Sequence, residues 1–226
     1  MNDLIPTMKI FLDTADTEAI KEGYATGLID GITTNPSLIM KSGRNPEDVY
    51  QELIDLGIPD ISMEVVGTGE EMVAEGRRLA KKFGKQATIK VPCTPDGLWV
   101  CRQLSKDLIK VNVTLIFSPV QAILASKAGA RYVSPFVGRV DDNSYGGLCL
   151  IKDISNIFTK QQVYNTEILG ASIRNVRDVG RAFEYGSHIC TIPPGVFNKM
   201  YKHVLTDAGL AQFEKDWSEV QVGLTD

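Results

Sequence analysis

Histidine is nearly missing from this chain. Only His188 and His203 occur in 226 residues, too few for a His/Cys metal site to be expected. The four cysteines, Cys93, Cys101, Cys149 and Cys190, are scattered and form no CxxC pair. They read as reduced, small core residues rather than as a disulfide framework. No apolar run approaches the roughly 18 residues that a membrane-spanning helix needs, so no membrane partner is expected. An excess of positive charge is also absent. Lys+Arg 24 against Asp+Glu 28 leaves a net charge of −4, which gives no general attraction to nucleic acid or anionic lipid. Met1 to Thr7 carry neither the basic nor the apolar stretch of a secretory signal, and a cytoplasmic location is expected. Low-complexity and linker-like segments are missing, so residues 1–226 are expected to form one domain.

What the chain does have is a recurring order of strand, turn and helix. The expected strands are Met8 to Thr14, Gly31 to Asn35, Asp60 to Val66, Gln86 to Pro92, Lys110 to Ser118, Arg131 to Val137, Thr166 to Ile173 and Ser187 to Ile192. Between them lie helical patterns opened by Asp16 or Thr14, Asn45-Pro46, Thr68, Thr94-Pro95, Ser118-Pro119 and Asn175. Asp141 to Tyr164 reads as a loop leading into an apolar helix. Eight strand–helix units in a chain of this length predict an α/β fold, a (β/α)8 or TIM barrel. A doubly wound open sheet fits less well. It needs fewer strands, and its glycine-rich first turn is replaced here by Asp13-Thr14-Ala15-Asp16. Leu210, Phe213, Trp217 and Val220 form an apolar stripe at helical spacing, predicting an additional C-terminal helix over about 206–221 that covers its own barrel mouth or docks on a neighbour.

Side chains alternate along a strand, so parity separates the faces. Ile10 and Leu12 oppose Asp13. Ile32 opposes Thr33 and Asn35, Met63 and Val65 oppose Glu64, and Ile89 and Val91 oppose Lys90. Val113, Leu115 and Phe117 oppose Asn112 and Thr114. Val133 and Val137 oppose Ser134 and Phe136, and Ile173 opposes Ser172. Seven strands thus carry a polar group toward their C-terminal ends on the face away from the helices, where barrels of this class hold their active sites. Any one of these groups could be a strand residue satisfied by backbone or water, and a structural Lys–Glu pair is a further plain reading. As a set, an interior lysine with two carboxylates is costly without a role.

A lysine among apolar walls loses hydration that its charged form needs, which favours the neutral, nucleophilic amine. Such an amine can attack a carbonyl and form a Schiff base, whose iminium accepts the electron pair of a breaking C–C bond. One group must then take the proton of the departing hydroxyl and another must move protons while the iminium forms. Asp13 and Glu64 suit these needs, and spacing does not say which does which. Arg139 and Arg174, with Ser172 near the second, follow strands 6 and 7, where barrel phosphate sites often lie. Their plain reading is two solvated arginines paired with acids such as Asp141 or Asp178.

Phe11-Leu12-Asp13-Thr14-Ala15, Gly31-Ile32-Thr33-Thr34-Asn35-Pro36-Ser37, Ile89-Lys90-Val91-Pro92, Asn112-Val113-Thr114, Ser134-Pro135-Phe136-Val137-Gly138-Arg139 and Gly170-Ala171-Ser172-Ile173-Arg174-Asn175 resemble the transaldolase family, and the length resembles its short subfamily, which includes fructose-6-phosphate aldolase. The match runs from about Met8 to the C-terminus. The resemblance implies a class I aldolase-type barrel without metal or cofactor, acting through a Schiff base on Lys90. It implies transfer of a dihydroxyacetone unit from a ketose phosphate to an aldose phosphate in the pentose phosphate pathway. By the same resemblance Asp13 is the acid/base at the C4 hydroxyl. Glu64, through a water held with Thr114, moves protons as the Schiff base forms and hydrolyses. Asn35, Asn112 and Ser134 hold the hydroxyls of the three-carbon unit, with Thr33 nearby, and Arg139, Ser172 and Arg174 bind phosphate. The aldolases of the subfamily carry glutamine and tyrosine where this chain has Glu64 and Phe136. Phenylalanine cannot protonate the bound carbanion, so transfer is expected over release of free dihydroxyacetone; Phe136 also reads as core filling. The resemblance further implies a homo-oligomer, a decamer in the short subfamily, in which the C-terminal helix packs on an adjacent subunit. The competing expectations are a fructose-6-phosphate aldolase, a catalytically idle barrel that binds sugar phosphates, and, last, a metal-dependent aldolase.

Overall fold

The structure, a computed structural model, describes residues 8–223. The expected role-bearing segments all lie within it; the extension from Met1 to Thr7 lies outside. Eight parallel strands close on themselves in sequence order. They are β1 (Lys9–Asp13), β2 (Gly31–Thr33), β3 (Ile61–Glu64), β4 (Ala87–Pro92), β5 (Val111–Ile116), β6 (Tyr132–Pro135), β7 (Glu167–Gly170) and β8 (Ile189–Ile192). The helices are α1 (Thr17–Ala25), α2 (Pro36–Ser42), α3 (Pro46–Asp55), α4 (Gly69–Phe83), α5 (Pro95–Lys106), α6 (Pro119–Lys127), α7 (Val137–Asp142), α8 (Gly147–Lys160), α9 (Val176–Glu184), α10 (Pro194–Lys199) and α11 (Val204–Gly223). This is the (β/α)8 barrel with an extra C-terminal helix that the sequence predicts.

The helices begin where local chemistry starts them. Asp16 accepts from the amides of Glu18 and Ala19, Asn45 from Glu47, Thr94 from Gly97 and Asn175 from Asp178. Thr68 and Ser118 form reciprocal capping boxes with Glu71 and Gln121. Each cap satisfies amides that the first turn leaves open and contributes about 1 kcal/mol. The outward strand residues, among them Leu12, Ile32, Met63, Ile89, Val113, Val133 and Ile168, are buried under these helices in one continuous core.

The barrel interior is tiered. At the N-terminal end, the Asp60 carboxylate accepts from Thr88, Lys110 and Tyr132. Beside it Glu167 pairs with Lys9 and Arg131. Above lies an apolar tier of Phe11, Tyr132, Leu169 and Ile189. Phe11 meets Tyr132 edge to face, with ring centroids 6.3 Å apart. Gly31 makes room for it, because a Cβ there would stand 2.6 Å from the Phe11 ring. This plug floors the polar tier at the C-terminal end.

The structure departs from the expected strands in three places. Leu115 adopts φ 58° inside β5, and the register to β6 shifts between Val113 and Ile116. Ile116, not Leu115, is therefore the next buried apolar residue after Val113, and Leu115 and Phe117 do not continue the face of Val113. Such a bulge re-aims side chains next to it. Second, β7 ends at Gly170 and Ser172 turns to φ 57°, so alternation does not place Ser172. Third, two helices lie outside the expected ones: α2 follows directly on the end of strand 2, and α7 begins at Val137, the expected end of strand 6, and runs into the loop expected from Asp141. Both are short: α2 has 7 residues and α7 has 6 with no side-chain cap.

Candidate active site

The polar tier opens into a cavity of about 120 Å³ at the C-terminal ends of the strands. Asp13, Thr33, Asn35, Lys90, Asn112, Thr114, Ser134, Phe136, Arg139 and Ser172 all reach it. Lys90 is 6% exposed. Its Nζ donates to Glu64 Oε2 at 2.8 Å and to the Thr34 carbonyl at 2.9 Å. Glu64 faces Lys90 directly in the register of β3 and β4. The expectation of apolar walls around the amine is corrected. Its nearest partners are acceptors, because the interior-facing positions of the adjoining strands are polar.

Asp13 Oδ1 accepts from Thr33 at 2.8 Å. Burial raises its pKa above the usual carboxylate range. The Thr33 hydrogen bond and the Lys90 charge oppose that rise, and the Glu64 charge adds to it. Asn112 donates to Ser62 and accepts from Ser134 at 2.6 Å. Thr114 Oγ1 is buried with no hydrogen-bond partner among the described residues, so both its hydrogen and its lone pairs are free for a cavity guest. Asn35 caps α2 through Oδ1, which accepts from Leu38 N. Its amide nitrogen donates to no group among the described residues.

Phe136 packs edgewise on Phe117 at 5.8 Å, and the Arg139 guanidinium lies 5.0 Å from the Phe136 ring centroid. Arg174 departs from the expected pair. Both of its terminal nitrogens are forked onto Asp142, at 2.5 and 2.6 Å, and it does not line the cavity. Its expected acid partners are otherwise engaged: Asp141 Oδ1 accepts from Gly147 N and Asp178 Oδ2 from Asn175 Nδ2. Asp142 holds Arg174 because α7 and the chain after β7 interlock. A Cβ on Gly138 would stand 2.4 Å from the Ser172 carbonyl and 2.8 Å from Arg174 Nε.

Thr191, Leu169 and Ala171 also line the cavity and were not among the expected site residues. For Thr191 the signal was present. Ile189, Cys190, Thr191 and Ile192 alternate like the other strands, which puts a polar residue of β8 on the interior face. Among the described residues no group of three or more His, Cys, Asp or Glu side chains is arranged to hold a metal ion.

The profile of the Transaldolase/Fructose-6-phosphate aldolase family matches residues 10–222. The chain belongs to this family. It is 51% identical to a "Probable transaldolase" of Nitrosopumilus maritimus over 95% of this chain and 96% of that one. It is 51% identical to one of Caulobacter vibrioides over 93% and 97%. It is 50% identical to one of Geobacter sulfurreducens over 94% and 99%. Among solved structures, that of a candidate lactate oxidase from Pediococcus acidilactici is similar, with TM-score 0.60 and 13% identity over 84% of this chain and 64% of that one. That likeness concerns the barrel alone. Family membership makes this an aldolase-type enzyme.

Proposed function

We propose that the chain is a transaldolase that works through a Schiff base on Lys90. The observation that carries the reading is a buried lysine whose amine, hydrogen-bonded to a carboxylate, opens on a cavity ringed by hydroxyl and amide groups. The amine attacks C2 of a ketose phosphate such as sedoheptulose 7-phosphate or fructose 6-phosphate. The carbinolamine loses its oxygen as water with protons moved by Glu64, leaving an iminium. Asp13 takes the C4 hydroxyl proton as the C3–C4 bond breaks. The aldehyde departs, as erythrose 4-phosphate from the seven-carbon donor or glyceraldehyde 3-phosphate from the six-carbon one. The bond's electron pair stays on the three-carbon unit as an enamine, which adds to an acceptor aldehyde before water frees Lys90.

Asn35, Asn112 and Ser134 would hold the hydroxyls of that unit, and Thr114 the water. The substrate phosphate would meet Arg139 and Ser172 at the rim, and Arg174 after exchange from Asp142. Phe136 offers no proton to the enamine, which favours transfer over release of free dihydroxyacetone. Such an enzyme would serve the pentose phosphate pathway in the cytoplasm. We further propose a homo-oligomer, as large as a decamer, assembled through α11, whose Leu210, Phe213, Trp217 and Val220 are 50–69% exposed.

Borohydride reduction in the presence of fructose 6-phosphate tests the chemistry. A mass gain at Lys90 that Lys90→Met abolishes supports it. No adduct on the native chain contradicts it and favours an idle sugar-phosphate-binding barrel.

A further inference from the structure

Thr191 stands on β8, and β1 lies between β8 and β2 in the barrel. Its Oγ1 is 2.6 Å from Thr33 Oγ1, and Thr33 Oγ1 donates to Asp13 Oδ1 at 2.8 Å. A threonine hydroxyl has one hydrogen and two lone pairs. Thr33 gives its hydrogen to the carboxylate, so the hydrogen between the two threonines belongs to Thr191. The result is a one-way chain, Thr191 to Thr33 to Asp13, with both threonines at most 3% exposed. Asp13 Oδ2 makes no hydrogen bond among the described residues.

We propose that Thr191 is a positioning residue for Asp13, acting through Thr33. It is the terminal donor that fixes Oδ1 and leaves Oδ2 as the oxygen that exchanges a proton with the substrate. This inference rests on the Schiff-base reading, in which Asp13 takes the C4 hydroxyl proton. A hydroxyl that itself receives a hydrogen bond is a stronger donor, and a donor to a carboxylate favours its charged form. The groups that act on Asp13 are Thr33 from β2, Glu64 from β3 and Lys90 from β4; Arg139, Phe136 and Thr191 from β8 line the same cavity. Of the charged ones, Lys90 favours the carboxylate and Glu64 opposes it. Without the Thr191 hydroxyl, Thr33 donates less strongly. Asp13 then takes up a proton at higher pH, and the base form is lost sooner on acidification.

The test compares Thr191→Val, Thr191→Ser and Asp13→Asn in the full chain. One readout is the borohydride-trapped adduct with fructose 6-phosphate. The other is the pH profile of glyceraldehyde 3-phosphate release in the presence of erythrose 4-phosphate. Thr191→Val is expected to trap the adduct as the native chain does. It should release aldehyde about three- to tenfold more slowly, with the acid limb moved to higher pH. Thr191→Ser should restore both. A native rate and pH profile in Thr191→Val, with Asp13→Asn slow, overturns the inference. Loss of the adduct in Thr191→Val also overturns it, since Thr191 would then support Lys90 or the barrel. A native release rate in Asp13→Asn instead overturns the role given to Asp13.

Discussion

The Lys90 ammonium and the Glu64 carboxylate meet at 2.8 Å across adjacent, register-paired positions of β3 and β4. The pair is largely buried, at 7% and 16% side-chain exposure, and of the two Lys90 alone lines the cavity. Breaking it leaves a charge with little water to replace its partner. In the proposed mechanism the carboxylate also moves the protons of carbinolamine breakdown. Glu64→Ala is expected to slow adduct formation about a hundredfold, as loss of a general acid–base group does. Glu64→Gln should lose less, roughly tenfold, because its amide keeps a hydrogen bond to Lys90. Rapid-quench trapping with borohydride measures both. Native trapping rates in Glu64→Ala would reduce the pair to a structural one.

In the proposed mechanism Phe136 is the residue on which the choice between transfer and release turns. Its ring lines the cavity and carries no proton donor. Phe136→Tyr places a hydroxyl on the same ring. Fructose 6-phosphate alone should then yield free dihydroxyacetone faster than the native chain does, at least tenfold on the scale of one added general acid. An unchanged acceptor-free rate would move the cause of selectivity away from this ring.

The two rim arginines should behave unequally. Arg139 reaches the cavity, whereas Arg174 is forked onto Asp142. Arg139→Ala should raise KM for phosphorylated substrates more than tenfold with kcat little changed, as for a lost charge-assisted hydrogen bond. Asp142→Asn removes the competing carboxylate and should let inorganic phosphate inhibit at lower concentration. Weaker inhibition in that variant would mean that Asp142 presents Arg174 rather than competes for it.

His188 gives a stability prediction. Its Nδ1 accepts from Ile168 N at 3.0 Å, which requires the neutral ring. Burial lowers its pKa, with Lys9 and Arg131 adding to that and Glu167 opposing it. The unfolded chain therefore binds this proton more readily. The stability it contributes is present above the ordinary histidine pKa and is lost as pH falls through the lowered one. Urea unfolding at descending pH should show a loss of stability below neutrality that His188→Asn makes shallower. Parallel profiles for the two chains would assign the acid loss to other groups.

The barrel itself was legible in the sequence because caps, prolines and strand parity agree at most elements. Asn45, Thr68, Thr94, Ser118 and Asn175 each start the helix expected of them. Interior polarity at Asp13, Thr33, Glu64, Lys90, Asn112 and Ser134 follows from alternation alone. Alternation stops being a guide where the backbone leaves the extended region. Leu115 and Ser172 both turn to positive φ, and no sequence period marks that. Asp142 was equally hidden, since its partner lies 32 residues away and only the interlock of α7 with the chain after β7 brings them together. Thr191 was readable and overlooked: the strand that closes the barrel against β1 obeys the same rule as the others.

The most direct test of the account is release of glyceraldehyde 3-phosphate from fructose 6-phosphate, with and without erythrose 4-phosphate, in the native chain and in Lys90→Met. The account predicts release that depends on the acceptor and vanishes in Lys90→Met. Equal release without the acceptor would make the chain a fructose-6-phosphate aldolase and contradict the role given to Phe136. Release that persists in Lys90→Met would contradict the Schiff base itself.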